Sequence, residues 1–148
     1  MRRSFAAAAA ALALCSSGCI NEDVTLYGVR VTGRVQVASE FSSAGVVHLG
    51  LYFASAGEGE LAFPVDEIEL RELGAPGSVD EWFLVPLDER EGLLVYAWLD
   101  LDGDGVHCAV GGVEEPAGLV EVDDFTDHAV SFSLVLDQAC AGPEALYP

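Results

Sequence analysis

The sequence contains no lysine. Arginine supplies all six of its basic residues, and two of these, Arg2 and Arg3, sit at the extreme N-terminus. From residue 19 onward only Arg30, Arg34, Arg71 and Arg90 stand against 25 acidic residues. A surface of that sign repels nucleic-acid phosphates and anionic headgroups, so a nucleic-acid partner is rejected. It favours cations, basic partners or plain solubility. Histidine is also scarce, with only His48, His107 and His128. There is no Gly-x-Ser-x-Gly elbow, no His-Glu-x-x-His pair and no phosphate loop, which removes the common nucleophile, zinc-hydrolase and nucleotide signatures. The pairs Glu114-Glu115 and Asp123-Asp124 follow from so acidic a composition and do not by themselves make a glycosidase. His107 beside Cys108 is a poor zinc pair, because adjacent residues of an extended chain point to opposite faces. Finally, no apolar run reaches the roughly 20 residues that a membrane-crossing helix needs.

The one continuous apolar stretch is short and lies at the start. Met1-Arg2-Arg3 precedes Phe5 to Leu14, which holds only Phe, Ala and Leu. A basic n-region followed by a ten-residue apolar core is the order of a secretory signal, too short to remain as a span. Ser16-Ser17-Gly18-Cys19 then resembles the lipobox of bacterial lipoproteins, in which a small residue precedes the Cys that is acylated. Ser16 departs from the Leu usual three positions before that Cys. The resemblance implies a signal peptide over 1–18, lipidation at Cys19 and a tether or edge strand over 19–28. It places the protein in the bacterial cell envelope, at the outer membrane or cell surface, held by its lipid anchor. The alternative is cleavage after Ala11-Leu12-Ala13, which leaves Cys15 and Cys19 in a secreted or periplasmic protein. Arg2-Arg3-Ser4-Phe5 also loosely resembles a twin-arginine export signal.

Export fixes how the cysteines are read. With Cys19 acylated, Cys108 and Cys140 remain, and free thiols are unusual in an oxidising compartment. A Cys108–Cys140 disulfide is expected, tying the C-terminal tail to the loop after the Asp-rich segment. The upstream cut would leave four cysteines and three pairings.

The remaining 130 residues, 51% of the whole chain being apolar, suit one domain with a real core, assigned to 29–148. Val29, Val31, Val35 and Val37 alternate with Arg30, Thr32, Arg34 and Gln36, a strand period in which Gly33 marks a bulge or close approach. Val47, Leu49, Leu51 and Phe53 form the next alternating set, with His48 read as a strand-surface residue. Leu61, Phe63 and Val65 read as a short strand with an edge-type Pro64. Val65 to Leu73, rich in Glu and Leu, is the only plausible helical turn. Gly74-Ala75-Pro76-Gly77-Ser78 is a loop. Trp82 to Val85 is a further strand. Leu93 to Leu99 is apolar on both faces and therefore a central, covered strand. Leu119, Val120 and Val122 make another, and Ala129 to Leu136 alternates cleanly. Seven to eight short strands without an amphipathic helix predict an all-β fold, an antiparallel two-sheet β-sandwich of Ig-like or transthyretin-like type.

The most informative chemistry is Asp100-Leu101-Asp102-Gly103-Asp104-Gly105-Val106. Calcium takes six to eight oxygen ligands, and carboxylates at alternate positions of a tight loop can converge on one ion. Gly105 permits the sharp turn, and the Val106 carbonyl can point inward. An EF-hand would need Glu where Gly111 stands. The outer oxygens must therefore come from elsewhere, with Glu114 and Glu115 nearest and Asp123 and Asp124 beyond. Without an ion, the same residues read as an Asp/Gly turn.

Tyr96 to Gly105 followed by Glu115-Pro116-Ala117-Gly118 resembles an element of bacterial surface β-sandwiches, namely transthyretin-like (prealbumin-like) domains and the calcium-dependent B-type repeats of adhesins. There a central strand enters an Asp-rich loop and an acidic Glu-Pro-Gly-like turn follows. The resemblance covers about 25 residues and implies Ca²⁺ at Asp100, Asp102, Asp104 and Glu115. This chain departs from it with His107-Cys108 and a Gly-Gly pair. The function expected is that of a non-enzymatic, calcium-stabilised envelope lipoprotein, a binding or structural module whose partner is an envelope protein or glycan. The alternative is a carbohydrate- or ligand-binding module in which Trp82 or Trp98 stacks a sugar, although each Trp reads first as a core aromatic. An enzyme is disfavoured by the lack of a nucleophile–base constellation.

Overall fold

The computed structural model of the chain describes residues 25–54, 65–86, 93–122 and 128–147. In chain order these form β1 (Leu26–Val37), β2 (Val46–Ala54), β3 (Val65–Gly74), β4 (Ser78–Pro86), β5 (Leu93–Asp100), β6 (Pro116–Val122), β7 (Ala129–Leu136), the two-residue β8 (Gln138–Ala139) and one short helix, α1 (Pro143–Leu146). Two sheets result, a three-stranded one ordered β4-β1-β7 and a five-stranded one ordered β3-β2-β5-β6-β8. This is the all-β sandwich that the alternation requires. No helix among the described residues is long and apolar enough to cross a membrane.

The period-two pattern makes the core. Val29, Val31 and Val35 of β1, Val79, Phe83 and Val85 of β4, and Val130, Phe132, Leu134 and Leu136 of β7 point inward. They meet Val47, Leu49, Leu51 and Phe53 of β2 and Leu93, Val95, Ala97 and Leu99 of β5. Each fully buried aliphatic or aromatic side chain contributes roughly 1.5–3 kcal/mol of transfer free energy. Gly33 is a close approach, as its place in the apolar face suggested: a Cβ there would overlap the Phe132 carbonyl oxygen and ring.

β5 is buried along its whole length because both of its faces are covered. Its inner residues join the main core. Leu94, Tyr96 and Trp98 form a second cluster with Tyr52 and Ala117, against which Leu119, Leu146 and Tyr147 pack. The C-terminal tail therefore roofs the outer face of the five-stranded sheet. The Cys108–Cys140 disulfide is present, with Cα atoms 5.4 Å apart across a separation of 32 residues.

Several expectations are corrected. The stretch 65–73 is strand, not a helical turn. β3 pairs antiparallel with β2 from Ala54↔Val65 to Val47↔Gly74, with register shifts at Val47/His48 and Leu51/Tyr52. Pairing along a whole neighbour outweighs the helix preference of Glu and Leu, which is worth only tenths of a kcal/mol per residue. Leu61, Phe63 and Pro64 lie outside the described residues. The sheets are not wholly antiparallel, because β1 and β7 run parallel from Arg30↔Ala129 to Val37↔Leu136. Trp82 is not a core residue but is 59% exposed, whereas Trp98 is buried. His48 is not an open surface residue, since its ring stacks on Trp98 with centroids 4.2 Å apart. Residues 116–118 do not form a turn but open β6.

Candidate metal centre

β5 delivers Asp100 to the rim of the sandwich on the face shared with His48 and Trp98. The register His48↔Trp98 and Val46↔Asp100 sets those neighbours. Gly45 is required beside it, because a Cβ there would overlap the Asp100 carbonyl oxygen. The loop then turns back on Asp100. Its Oδ1 accepts the Gly103 N–H at 2.6 Å and its Oδ2 the Gly105 N–H at 3.0 Å. Gly105 has φ +74°, a conformation that a side chain would strain. The expected glycine-dependent turn is thus observed.

The carboxylate of Glu115 closes the loop from the other end. Oε1 accepts the Leu101 N–H and Oε2 the Cys108 N–H, both at 2.8 Å. The Glu115 carbonyl accepts the Cys140 N–H at 2.9 Å. The side chain is only 1% exposed and that of Asp100 5%. Cys108 and Cys140 both have positive φ, 51° and 52°, so the disulfide and the Glu115 hydrogen bonds hold the two cysteines in a conformation that non-glycine residues seldom adopt.

Asp100, Asp102 and Glu115 come together as a carboxylate triad whose ligand atoms all lie within 4.8 Å of one another. That span is about twice a Ca–O bond of roughly 2.4 Å, so a single ion can touch all three. Each oxygen that accepts one N–H keeps a second lone pair for a cation. The donor set is all oxygen and anionic, suited to a hard divalent ion and not to a soft one. Burial alone would raise the Asp100 carboxyl. The Gly103 and Gly105 N–H groups, the nearby His48 ring and the Asp102 N–H outweigh it, holding the group below the ordinary carboxylate value.

Asp104 is not among the three. It sits on the exposed side of the loop, where its Oδ1 accepts the Val106 N–H at 2.8 Å, and Val106 is itself exposed. Glu114 is exposed, and Asp123 and Asp124 lie outside the described residues. Sequence reasoning missed His48, whose Nε2 is 3.7 Å from Asp100 Oδ2. Only the β2–β5 register places it there, and nothing in local spacing announces it. It also missed the role of His107, whose Nδ1 lies 3.2 Å from the Tyr96 hydroxyl and whose Nε2 lies 3.3 Å from the Glu115 carbonyl. A neutral ring satisfies both by accepting from Tyr96 at Nδ1 and donating to Glu115 from Nε2.

Fold and site together define a β-sandwich with a carboxylate triad, two of its members buried, in the loop that leaves its central strand. In comparisons with known proteins, no family model, no curated protein and no solved structure matches the chain.

Proposed function

We propose that the protein is a non-enzymatic lipoprotein of the bacterial envelope, anchored through Cys19, whose domain is a binding or structural module stabilised by Ca²⁺ at Asp100, Asp102 and Glu115. The observation that carries the calcium reading is the convergence of Asp100 and Glu115, both buried, with Asp102 on their open side. Carboxylates this close repel one another, and a divalent ion converts that repulsion into attraction. The ion would bridge the end of β5 to the start of β6 and order the loop between them, which the disulfide ties to the tail.

Binding to the folded state alone stabilises by mass action, about 2.7 kcal/mol when the free ion is at a hundred times its dissociation constant. The test is thermal unfolding of chelator-treated protein with and without millimolar Ca²⁺. The melting temperature rises in the native chain, and Asp102→Ala abolishes the rise. Asp102 is exposed and its side chain accepts only the Asp104 N–H, at 3.2 Å, so this variant keeps its fold. No calcium-dependent shift in the native chain overturns the reading.

A further inference from the structure

The outer face of the three-stranded sheet differs in character from the rest of the molecule. Its outward side chains are Leu26, Gly28, Arg30, Thr32, Arg34 and Gln36 from β1, alternating with the buried valines. β4 adds Ser78, Asp80, Trp82, Leu84 and Pro86, and β7 adds Ala129, Ser131, Ser133 and Val135. The face therefore carries two arginines and a single carboxylate, in a chain with 25 acidic residues. That carboxylate is neutralised in place, because Arg30 grips Asp80 in a fork at 2.8 and 2.7 Å.

At the end where β1 begins, the face is apolar. Leu26, Trp82 and Leu84 are each more than half exposed. Gly28 pairs with Leu84, and Arg30 with Trp82, so the three large side chains surround Gly28. A Cβ added at Gly28 would touch the Trp82 ring at 3.6 Å. The indole therefore lies down across the sheet beside the glycine instead of standing away from it. The Arg30–Asp80 pair borders this patch on one side. Leu26 is seven residues from Cys19 in the sequence, a length that spans at most about 24 Å when extended.

We propose that this face is a membrane-docking surface, with Trp82, Leu84 and Leu26 entering the headgroup layer of the neutral phospholipid bilayer that holds the chain's own anchor. The inference rests on the reading of Cys19 as the lipidated residue. An indole suits the headgroup layer, being apolar in body and polar at its N–H. A near-neutral face can approach lipid that the acidic remainder of the surface cannot. Docking in this way turns the five-stranded sheet outward, so that the Asp100–Glu115 loop faces solvent, where ions and partners are available to it.

The test uses the full acylated chain in phosphatidylcholine vesicles with and without brominated acyl chains. The protein has two tryptophans, and Trp98 lies buried against the opposite outer face. Brominated lipid quenches the Trp82 emission, Trp82→Phe loses that quenching, and Leu26→Ser with Leu84→Ser reduces it. Unquenched Trp82 in a chain whose mass shows the acyl group overturns the docking and leaves the anchor standing. A chain with no acyl mass at Cys19 overturns both. A Trp82 response to soluble glycans with none to brominated lipid makes the face a sugar platform and overturns the proposal.

Discussion

Glu115 joins parts of the chain that nothing else on the page joins so directly: its carboxylate receives N–H groups from Leu101 and Cys108, and its carbonyl receives that of Cys140. In Glu115→Gln, one of the two N–H donors must face an amide NH₂ instead of an oxygen. A buried unsatisfied donor costs about 1–3 kcal/mol, partly offset by removing a charge beside Asp100. The expected net loss is about 1–2 kcal/mol, measured by urea unfolding in chelator. Asp100 gives a pH signature. Its folded pKa lies below the unfolded value, so the stability it contributes is present above about pH 4 and lost as pH falls through the folded value. Asp100→Asn flattens that part of the acid limb, read from unfolding free energies between about pH 5 and pH 2. The loop was legible because Asp100, Asp102 and the Gly105 turn are local features of seven consecutive residues. Glu115 could be named because it lies only a loop away. Asp104 was over-read, since alternate spacing does not say which carboxylates turn inward and which cap the backbone. His48 was illegible, because its place beside Asp100 depends on which strands become neighbours.

At the scale of elements, the tail is the least expected part. Nothing in Pro143–Leu146 suggests a roof, and a helix of four residues has no amphipathic pattern to read. The tail is held by covalent and tertiary means: the disulfide, the Pro116↔Ala139 pairing, and the Tyr96 hydroxyl donating to the Ala141 carbonyl at 3.1 Å. Closing a loop of 32 residues stabilises by about 3–4 kcal/mol in the chain-entropy description. The double variant Cys108→Ser/Cys140→Ser therefore loses about that much in denaturant unfolding. Its Trp98 emission also becomes more accessible to aqueous acrylamide, because Leu146 and Tyr147 leave the cluster that contains it. The apolar double face of β5 was visible in Leu93–Leu99, but not what covers it. β3 shows the opposite limit: Glu67, Glu69 and Glu72 read as helix formers one residue at a time, and only the β2 ladder makes them strand. Tyr52 covers part of that ladder, its hydroxyl donating to Glu67 at 3.1 Å. Burial pushes its phenol above the ordinary value, so its contribution persists below about pH 10 and is lost as pH rises further. Tyr52→Phe weakens that alkaline loss.

At the scale of the whole molecule, one sandwich carries two unlike outer faces. The three-stranded face has Arg30, Arg34 and Asp80 as its only charged residues. The five-stranded side carries Asp66, Glu67, Glu69 and Glu72 on β3 and the Asp100–Glu115 loop beside β5. The alternating valines and leucines announced the sandwich itself. The charge asymmetry required the strand order, because a composition cannot say on which face its few arginines gather. A formal net charge of −19 makes self-repulsion a general destabilising term, and salt weakens it by shortening the Debye length from about 30 Å at 0.01 M to about 8 Å at 0.15 M. Any salt should therefore raise the melting temperature somewhat, and calcium must be separated from that background. In about 0.15 M NaCl, where long-range repulsion is already screened, millimolar Ca²⁺ adds almost nothing to ionic strength, so a further rise reports a site. Asp102→Ala keeps the rise produced by NaCl and loses the one produced by Ca²⁺. Were both rises to survive in the variant, the calcium effect would be screening, and the triad would be a turn held only by its backbone hydrogen bonds.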